Sequence, residues 1–271
     1  MINQNIDYFE YGQLLFKNYS TVLRNEDIKE QIFTTFDGYL DHSFFNENNI
    51  KPRAFINEFL LRHYPNETTI KSTFINNVLC KSKNHVTVFE LKVGKSRLDL
   101  CKINGVSTAY EIKTELDTSV RLESQMTDYF KTFEKVYLIC SENNIHAMID
   151  KIPNECGIYT YYLTKTGRYI FKKRRNATKS NEVSSYAQLS ILTKRDLQYY
   201  FDCGYEIDKE KMIETIINFN TDNHINKVFK SILKNKYKDR WNFLLENKSD
   251  ILEIDYQWFY KNQMSPEIVY Q

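Results

Sequence analysis

The chain has 271 residues, 42% of them hydrophobic and 15% aromatic, so it is long and apolar enough to fold around a sizeable core. Its 37 lysines and arginines are nearly balanced by 35 aspartates and glutamates, which excludes a uniformly basic nucleic-acid-binding surface. The five cysteines are scattered, which excludes a disulfide framework and a zinc ribbon and is typical of a reducing cytosol. Neither a signal peptide nor a membrane-spanning apolar run is evident, so we expect a cytoplasmic protein without a membrane partner.

The predicted elements divide the chain into a helical N-terminal segment, an α/β core and a helical C-terminal segment. These segments are 1–50, 51–175 and 183–271. In the first segment, Ile28, Ile32 and Phe36 recur at the spacing of one helix face. A further helix is predicted to begin at Pro52, since proline suits a first helical turn, and to end at about Tyr64.

Strands and helices alternate through the middle segment, which predicts an α/β fold with a mixed sheet. The predicted strands are 85–93, 96–103, 107–113, 136–140, 157–163 and 169–173. Asn104-Gly105, between the second and third strands, is a strong hairpin signal. Asp117 is the predicted N-cap of a helix that continues to about Phe133. The basic and polar stretch Lys172–Asn181 predicts a loop or linker.

The most informative polar residues lie on the two strands of this hairpin. Asp99 lies on the first strand, and Glu111 and Lys113 lie on the second. Two carboxylates and a lysine on neighbouring strands can hold a divalent cation, Mg²⁺ or Mn²⁺, and an attacking water. The E-x-K triplet alone is weak evidence, because Glu90-Leu91-Lys92 shows the same pattern. The alternative is a solvent-facing strand with ordinary cross-strand ion pairs.

The metal-site interpretation depends on the register of the hairpin. A two-residue turn at Asn104-Gly105 would pair Ile103 with Val106 and direct the two carboxylates to opposite faces of the sheet. For Asp99 to lie opposite Glu111, the sequence must form a three-residue loop at Asn104–Val106 or a bulge in one strand. Strand alternation also predicts that Asp99 shares a face with Cys101, with Leu98 and Leu100 on the other face.

Two helices carry further candidate residues. Arg121, Gln125 and Tyr129 recur every four residues and therefore line one helix face. An ordinary solvated stripe is the alternative, and it fits Arg121 and Gln125 better than Tyr129. Glu58 lies on the helix that begins at Pro52. It forms either a salt bridge to the residue four positions later, Arg62, or an outer part of a metal site, and local sequence favours the salt bridge.

The order Asp99, Glu111-x-Lys113 and Gln125-x-x-x-Tyr129, with Glu58 on a preceding helix, resembles the PD-(D/E)XK nuclease superfamily. The resemblance covers roughly residues 53–175. Within the superfamily, this stretch is similar to a bacterial branch whose members are often encoded in mobile or defence-associated regions. It implies a restriction-endonuclease-like mixed sheet flanked by helices. Leu98 replaces the proline of the superfamily's name, at a position that varies across the superfamily.

The resemblance implies a metal-dependent deoxyribonuclease, with a role in anti-phage defence or a mobile element. DNA would be the substrate, RNA remains an open alternative, and the cofactor would be Mg²⁺ or Mn²⁺. The helical segments would bind DNA, a partner protein or a second copy in a homodimer. The implied roles are catalysis by Asp99, Glu111 and Lys113, metal binding by Asp99, Glu111 and Glu58, and substrate binding by Arg97, Arg121, Gln125 and Tyr129. The main alternative is a catalytically silent module with a nuclease fold that binds DNA or a partner protein. A further alternative is a nuclease toxin acting on tRNA or other RNA, but the small delivered domain expected of a toxin does not match a chain with two helical flanks.

Overall fold

A computed structural model describes residues 7–41, 43–204 and 208–271 of the chain. The helices of this part are α1 Tyr8–Asn18, α2 Asn25–Thr35, α3 Phe44–Glu47, α4 Pro52–His63, α5 Glu67–Asn77, α6 Leu122–Phe130, α7 Ile145–Ile149, α8 Ser185–Ser190, α9 Lys194–Phe201, α10 Lys209–Phe219, α11 Asp222–Glu246, α12 Tyr256–Asn262 and α13 Pro266–Val269. The strands are β1 Val86–Val93, β2 Ser96–Asn104, β3 Val106–Lys113, β4 Lys135–Ser141, β5 Gly157–Leu163 and β6 Tyr169–Arg175. None of the helices in these ranges combines the length and the apolar character needed to cross a bilayer.

The strands form one six-stranded mixed sheet, in the order in which they occur along the chain. β1, β2 and β3 are antiparallel neighbours, whereas β3, β4 and β5 run parallel. Parallel neighbours need a crossover connection, and α6 lies in the connection between β3 and β4. The predicted mixed α/β fold is therefore confirmed.

The β2–β3 hairpin has the register that the candidate site requires. Ile103 pairs with Ser107, and Asn104 pairs with Val106. Gly105 lies between them with φ +71°, a left-handed conformation that costs glycine little. The predicted three-residue loop at Asn104–Val106 is confirmed, and the next unpaired positions beyond Leu100 and Tyr110 are those of Asp99 and Glu111.

The side chains of β1 and β2 do not alternate regularly between the two faces of the sheet. Val88 and Leu91, three residues apart on β1, belong to the same hydrophobic cluster, as do Leu98 and Cys101 on β2. The prediction that Leu98 and Cys101 lie on opposite faces was therefore wrong. The two-residue period of β1 is broken at Glu90, which has φ +52°, and β2 departs from regular alternation at the position opposite it, that of Asp99, between the pairs Phe89–Leu100 and Leu91–Leu98.

Two boundaries also differ from prediction. α6 begins at Leu122 rather than near Asp117, because the Asp117 carboxylate accepts hydrogen bonds from the amide and hydroxyl of Thr114, both at 2.8 Å, and closes a turn. The basic stretch predicted as a loop from Lys172 lies partly in a strand, since β6 continues to Arg175. The side chain of Arg174 contacts Thr160 on β5 at 2.9 Å, which accounts for the longer strand.

The chain forms two compact units, whereas the sequence predicts three consecutive segments. The first unit combines the described residues of Met1–Asn77 with Leu163–Ile170 and Asn242–Gln271. The second unit consists of Val78–Tyr162 and Phe171–Trp241.

Each unit has its own core. That of the second unit joins one face of the sheet to helical residues such as Met126 and Phe229. The first unit packs α1, α2 and α4 around residues such as Ile32, Phe36 and Leu60, with Ile254 from the C-terminal part of the chain. Both predicted N-terminal helices are present, as α2 and as α4 from Pro52 to His63.

Candidate active site

Asp99 lies where β2 and β3 separate. Their regular pairing stops at Leu100 and Tyr110, and the Asp99 carboxylate then accepts a hydrogen bond from the backbone amide of Ile112 at 2.6 Å. The side chain thus replaces the interstrand backbone contact at this point. Because Asp99 is only 6% exposed, this amide contributes to holding a buried charge in a fixed position beside β3.

Glu111 lies among three hydrogen-bond donors. Lys113 donates to its Oε1 at 2.7 Å, and Gln125 Nε2 donates to the same oxygen at 2.5 Å. The hydroxyl of Tyr129 donates to Oε2 at 2.8 Å. Glu111 and Lys113 are two positions apart on β3, so alternation brings both side chains to one face of the strand. These contacts keep the carboxylate, which is 2% exposed, in one orientation.

Tyr129 links α6 to both strands. Its hydroxyl also contacts the carbonyl oxygen of Arg97 at 2.9 Å, and the side chain is fully buried. Burial, followed by the charges of Glu111 and Asp99, raises the pKa of Tyr129 far above its usual value, so the phenol stays protonated. Both carboxylates therefore lie near this one hydroxyl. Tyr129 fits an orienting role in the site better than direct contact with a large substrate.

Lys113 and Gln125 complete the polar surroundings of Glu111. Lys113 is 8% exposed, and its amine contacts the carboxylate directly. Nε2 of Gln125 donates a hydrogen bond to Glu111. Within the described part of the chain, the buried Oε1 of Gln125 has no hydrogen-bond donor. A buried amide oxygen without a donor is unfavourable, and a water molecule or hydrated ion beside Glu111 would satisfy it.

Glu90 is a further acid of the site that sequence reasoning missed. It occupies the β1 position opposite Asp99, since Phe89 pairs with Leu100 and Leu91 pairs with Leu98. A carboxylate oxygen of Glu90 lies within 4.8 Å of one of Asp99. The signal was present in β1, because a glutamate interrupts its apolar residues. The E-x-K pattern of Glu90 was interpreted as chance, and its opposition to Asp99 was not considered.

The two predicted substrate-binding arginines lie at the surface. The side chain of Arg97 is 74% exposed, and its guanidinium nitrogen Nη1 lies 3.8 Å from a carboxylate oxygen of Glu90. Arg121 is exposed and occupies the N-cap position of α6. Both side chains are accessible to a large substrate, and their contact with one stays a prediction.

Glu58 lies on α4, in the first unit. Its side chain is 62% exposed and forms a 3.4 Å ion pair with Arg62, the salt bridge that local sequence favours. A surface pair of this kind contributes little to stability. Its role as a further metal ligand stays a prediction.

Comparison with known proteins gives one family. The sequence profile of the family described as "Bacteriophage P4 protein cII" matches residues 61–257, a range that includes Asp99, Glu111, Lys113, Gln125 and Tyr129. A curated relative, "Protein cII" of Enterobacteria phage P4, is 23% identical over 146 residues, or 52% of this chain. The match spans 54% of that relative, about half of its length. No solved structure matches the chain significantly.

Proposed function

The chain belongs to the family of bacteriophage P4 protein cII, and we propose that it is a divalent-metal-dependent nuclease that hydrolyses DNA phosphodiester bonds. The observation that carries the proposal is the buried arrangement of Asp99, Glu111 and Lys113, with Tyr129 and Gln125 orienting Glu111. As part of the same proposal, the fold is of the restriction-endonuclease-like type. The β1–β2–β3 meander, followed by α6 and the parallel strand β4, supports that assignment.

The donor atoms of the site fit a hard divalent cation. Asp99 and Glu111 offer carboxylate oxygens, which Mg²⁺ and Mn²⁺ prefer. The amine of Lys113 contacts Glu111, and Glu90 adds a third carboxylate, close to that of Asp99. Since like charges held close together are costly, a cation would relieve their repulsion. Oε1 of Gln125 has no hydrogen-bond donor among the described residues, and it would accept a hydrogen bond from a water molecule bound to such an ion.

Asp99 and Glu111 are the proposed metal ligands. A bound ion would supply Lewis-acid chemistry to the phosphate and lower the pKa of a bound water. The protein's contribution is to fix the ligands beforehand, through the Ile112 amide at Asp99 and the Tyr129 hydroxyl at Glu111. Such preorganisation keeps the carboxylates from having to reorient during the reaction.

Lys113 is the proposed electrostatic catalyst. Its amine, 2.7 Å from Glu111, can orient the attacking water and stabilise the charge that develops on the phosphate oxygens. Water adds to phosphorus, the bond from phosphorus to the leaving oxygen breaks, and that oxygen gains a proton. Arg97 and Arg121 remain accessible for contacts with the DNA backbone. We place this activity in anti-phage defence or a mobile element, and similarity to a phage protein supports the second of these.

DNA cleavage tests the proposal. The native protein, Asp99→Asn and Lys113→Met would be incubated with supercoiled and linear DNA in Mg²⁺, Mn²⁺ or EDTA. Glu123→Gln and Lys131→Met, which change exposed charges on or beside α6, are the matched controls. We expect metal-dependent cleavage by the native protein and both controls, and its loss in both site variants. Thermal unfolding would confirm that every variant is folded. DNA binding without cleavage by the native protein would contradict the nuclease assignment and favour a silent binding module.

A further inference from the structure

A lysine of α11 holds the β2–β3 hairpin at its loop. The amine of Lys230 donates hydrogen bonds to the carbonyl oxygen of Gly105 at 2.6 Å and to Oε2 of Glu134 at 2.9 Å. Gly105 is the central residue of the hairpin loop, and Glu134 directly precedes β4. One side chain from the C-terminal part of the chain therefore binds both the loop and the residue before the neighbouring strand.

Glu134 in turn fixes the beginning of β3. Its Oε2 accepts a hydrogen bond from the backbone amide of Ser107 at 2.8 Å, and its own amide donates to the Ser107 hydroxyl at 3.1 Å. Regular pairing of β3 with β4 begins at the next residues, Thr108 and Lys135. The carboxylate thus extends the contact between these strands to the hairpin loop. This hairpin clamp consists of Gly105, Ser107, Glu134 and Lys230.

The ion pair of the hairpin clamp is largely removed from water. The side chains of Glu134 and Lys230 are 8% and 17% exposed. Burial opposes ionisation of Glu134, but the Ser107 amide and Lys230 outweigh this effect and lower the pKa of the carboxyl, which is therefore charged at neutral pH. Removing one partner of a buried pair leaves an uncompensated charge, so loss of Lys230 should disturb the carboxylate that holds β3.

The hairpin clamp and the Asp99 contact lie at opposite ends of the same pair of strands. Pairing is continuous from the loop to Leu100 and Tyr110, and the Asp99 carboxylate then accepts a hydrogen bond from the Ile112 amide. Register is a property of the whole hairpin, because a slip of one residue at the loop displaces Asp99 by about 3.3 Å along β3 and reverses its face relative to Glu111. Contacts that fix the loop therefore also fix Asp99.

The surroundings of Lys230 differ from those of a lysine that contacts a DNA backbone. Its amine is shared between two oxygen acceptors of the protein, and most of its side chain is buried. Lysines that bind DNA neutralise backbone phosphates, which requires an amine that reaches solvent. Lys227 and Lys234, on the same helix, are exposed. The contacts of Lys230 thus favour a role within the protein.

We propose that Lys230 and Glu134 are positioning residues of the candidate active site, which hold the hairpin loop in the register that joins Asp99 to the backbone of β3. The effect on cleavage rests on the proposed nuclease function. The effect on the contact between Asp99 and Ile112 can be measured without any activity, so failure of the positioning role and failure of the nuclease function are distinguishable.

Amide hydrogen exchange of the folded full chain tests the effect on the contact. Lys230→Met would be compared with Lys230→Arg, which keeps a cation with several donors, and with Lys234→Met, which removes an exposed charge one helical turn further along α11. We expect the Ile112 amide to exchange roughly tenfold faster in Lys230→Met, while the Ile158 amide on β5 changes by less than about twofold. Both other variants should match the native protein. Unchanged exchange at Ile112 in Lys230→Met, or equal acceleration at Ile112 and Ile158, would overturn the proposal.

Cleavage kinetics test the effect on the proposed activity. Lys230→Met should lower kcat by about tenfold or more and leave KM for DNA nearly unchanged, because a displaced Asp99 impairs the reaction rather than substrate binding. Lys230→Arg should restore most of this loss. A raised KM with unchanged kcat and a weaker dependence on salt would identify a DNA contact and contradict the positioning role. Absence of cleavage by the native protein would contradict the nuclease function, and amide exchange would still decide whether Lys230 positions Asp99.

Discussion

The carboxylate of Asp99 accepts a hydrogen bond from the backbone amide of Ile112 at 2.6 Å, where the pairing of β2 and β3 ends. This contact fixes an acid of one strand to the backbone of the strand that carries Glu111 and Lys113. The candidate site therefore depends on the hairpin register, and the register depends on the loop at Gly105. A change in the loop would move the acids relative to each other even if every side chain were kept.

Tyr129→Phe should weaken catalysis while preserving the fold. The substitution removes the donor to Glu111 and to the Arg97 carbonyl, which we expect to reduce cleavage by about 10- to 100-fold. The free energy of unfolding should fall by about 1–2 kcal/mol, since a buried hydrogen-bond network loses one hydroxyl. Single-turnover cleavage and urea unfolding would measure both effects. Tyr199→Phe, at an 80% exposed tyrosine, is the control. Unchanged cleavage by Tyr129→Phe would show that the hydroxyl does not orient the site.

Glu90 gives a test that separates backbone strain from chemistry. Its φ of +52° is unfavourable for glutamate, so Glu90→Gly should maintain or increase the free energy of unfolding. Glu90→Gln keeps the strained backbone and removes only the charge. If Glu90 supports metal binding, both variants should need more Mn²⁺ for half-maximal cleavage, whatever their stability. Metal requirements equal to that of the native protein in both variants would restrict Glu90 to a structural role.

Stability should depend on pH through His85. Burial, with a further contribution from Lys102, lowers the pKa of His85 to about 4, against 6.5 for the free side chain. Between these values the unfolded chain takes up a proton that the folded chain does not, so stability is fully present above about pH 6.5 and decreases as the pH falls toward 4. We expect this residue to account for about 1–3 kcal/mol of that decrease.

Urea unfolding of the native protein and His85→Gln between pH 7.5 and 4.5 isolates this contribution, because the other groups titrate in both proteins. The native protein should lose stability more steeply than the variant over this range. Parallel pH profiles would contradict a neutral, buried His85.

In the first unit, Asp255 should be essential for stability. Its carboxylate is 1% exposed and accepts hydrogen bonds from the hydroxyls of Tyr19, Thr21 and Tyr270, at 2.7–2.9 Å. Asp255→Leu would leave three hydroxyls without their acceptor, so we expect a loss of about 3 kcal/mol or more in urea unfolding. Asp250→Leu, at an exposed position, should change stability little. An equally small effect of Asp255→Leu would show that this network contributes little.

Much of the site could be predicted because its determinants are local. The positions of Asp99, Glu111 and Lys113 around one hairpin required a specific loop, and the structure has it. The place of Tyr129 on the following helix was equally accessible from spacing. What Tyr129 does was not, because its contact with Glu111 depends on how α6 packs against the sheet.

Other features depend on contacts that no local pattern encodes. At Glu90, which has a positive φ, the side chains of β1 that point to the core change from one set of alternate positions to the other. A rule of strict strand alternation cannot anticipate such an exception. The strand character of Arg174 depends on its contact with Thr160 of β5. The first unit joins residues that are distant in sequence, such as Tyr19 and Asp255, so its extent could not be deduced from consecutive segments.

Direct titration with Mn²⁺ tests the central claim, that Asp99 and Glu111 hold a divalent cation. Calorimetry on the apo protein would compare the native chain with Asp99→Asn and with Asp150→Asn, which removes an exposed carboxylate instead. The account predicts saturable Mn²⁺ binding by the native chain and Asp150→Asn, and at least tenfold weaker binding by Asp99→Asn. Absence of saturable binding by the native chain, or equal binding by Asp99→Asn, would contradict the metal site and the nuclease mechanism that depends on it.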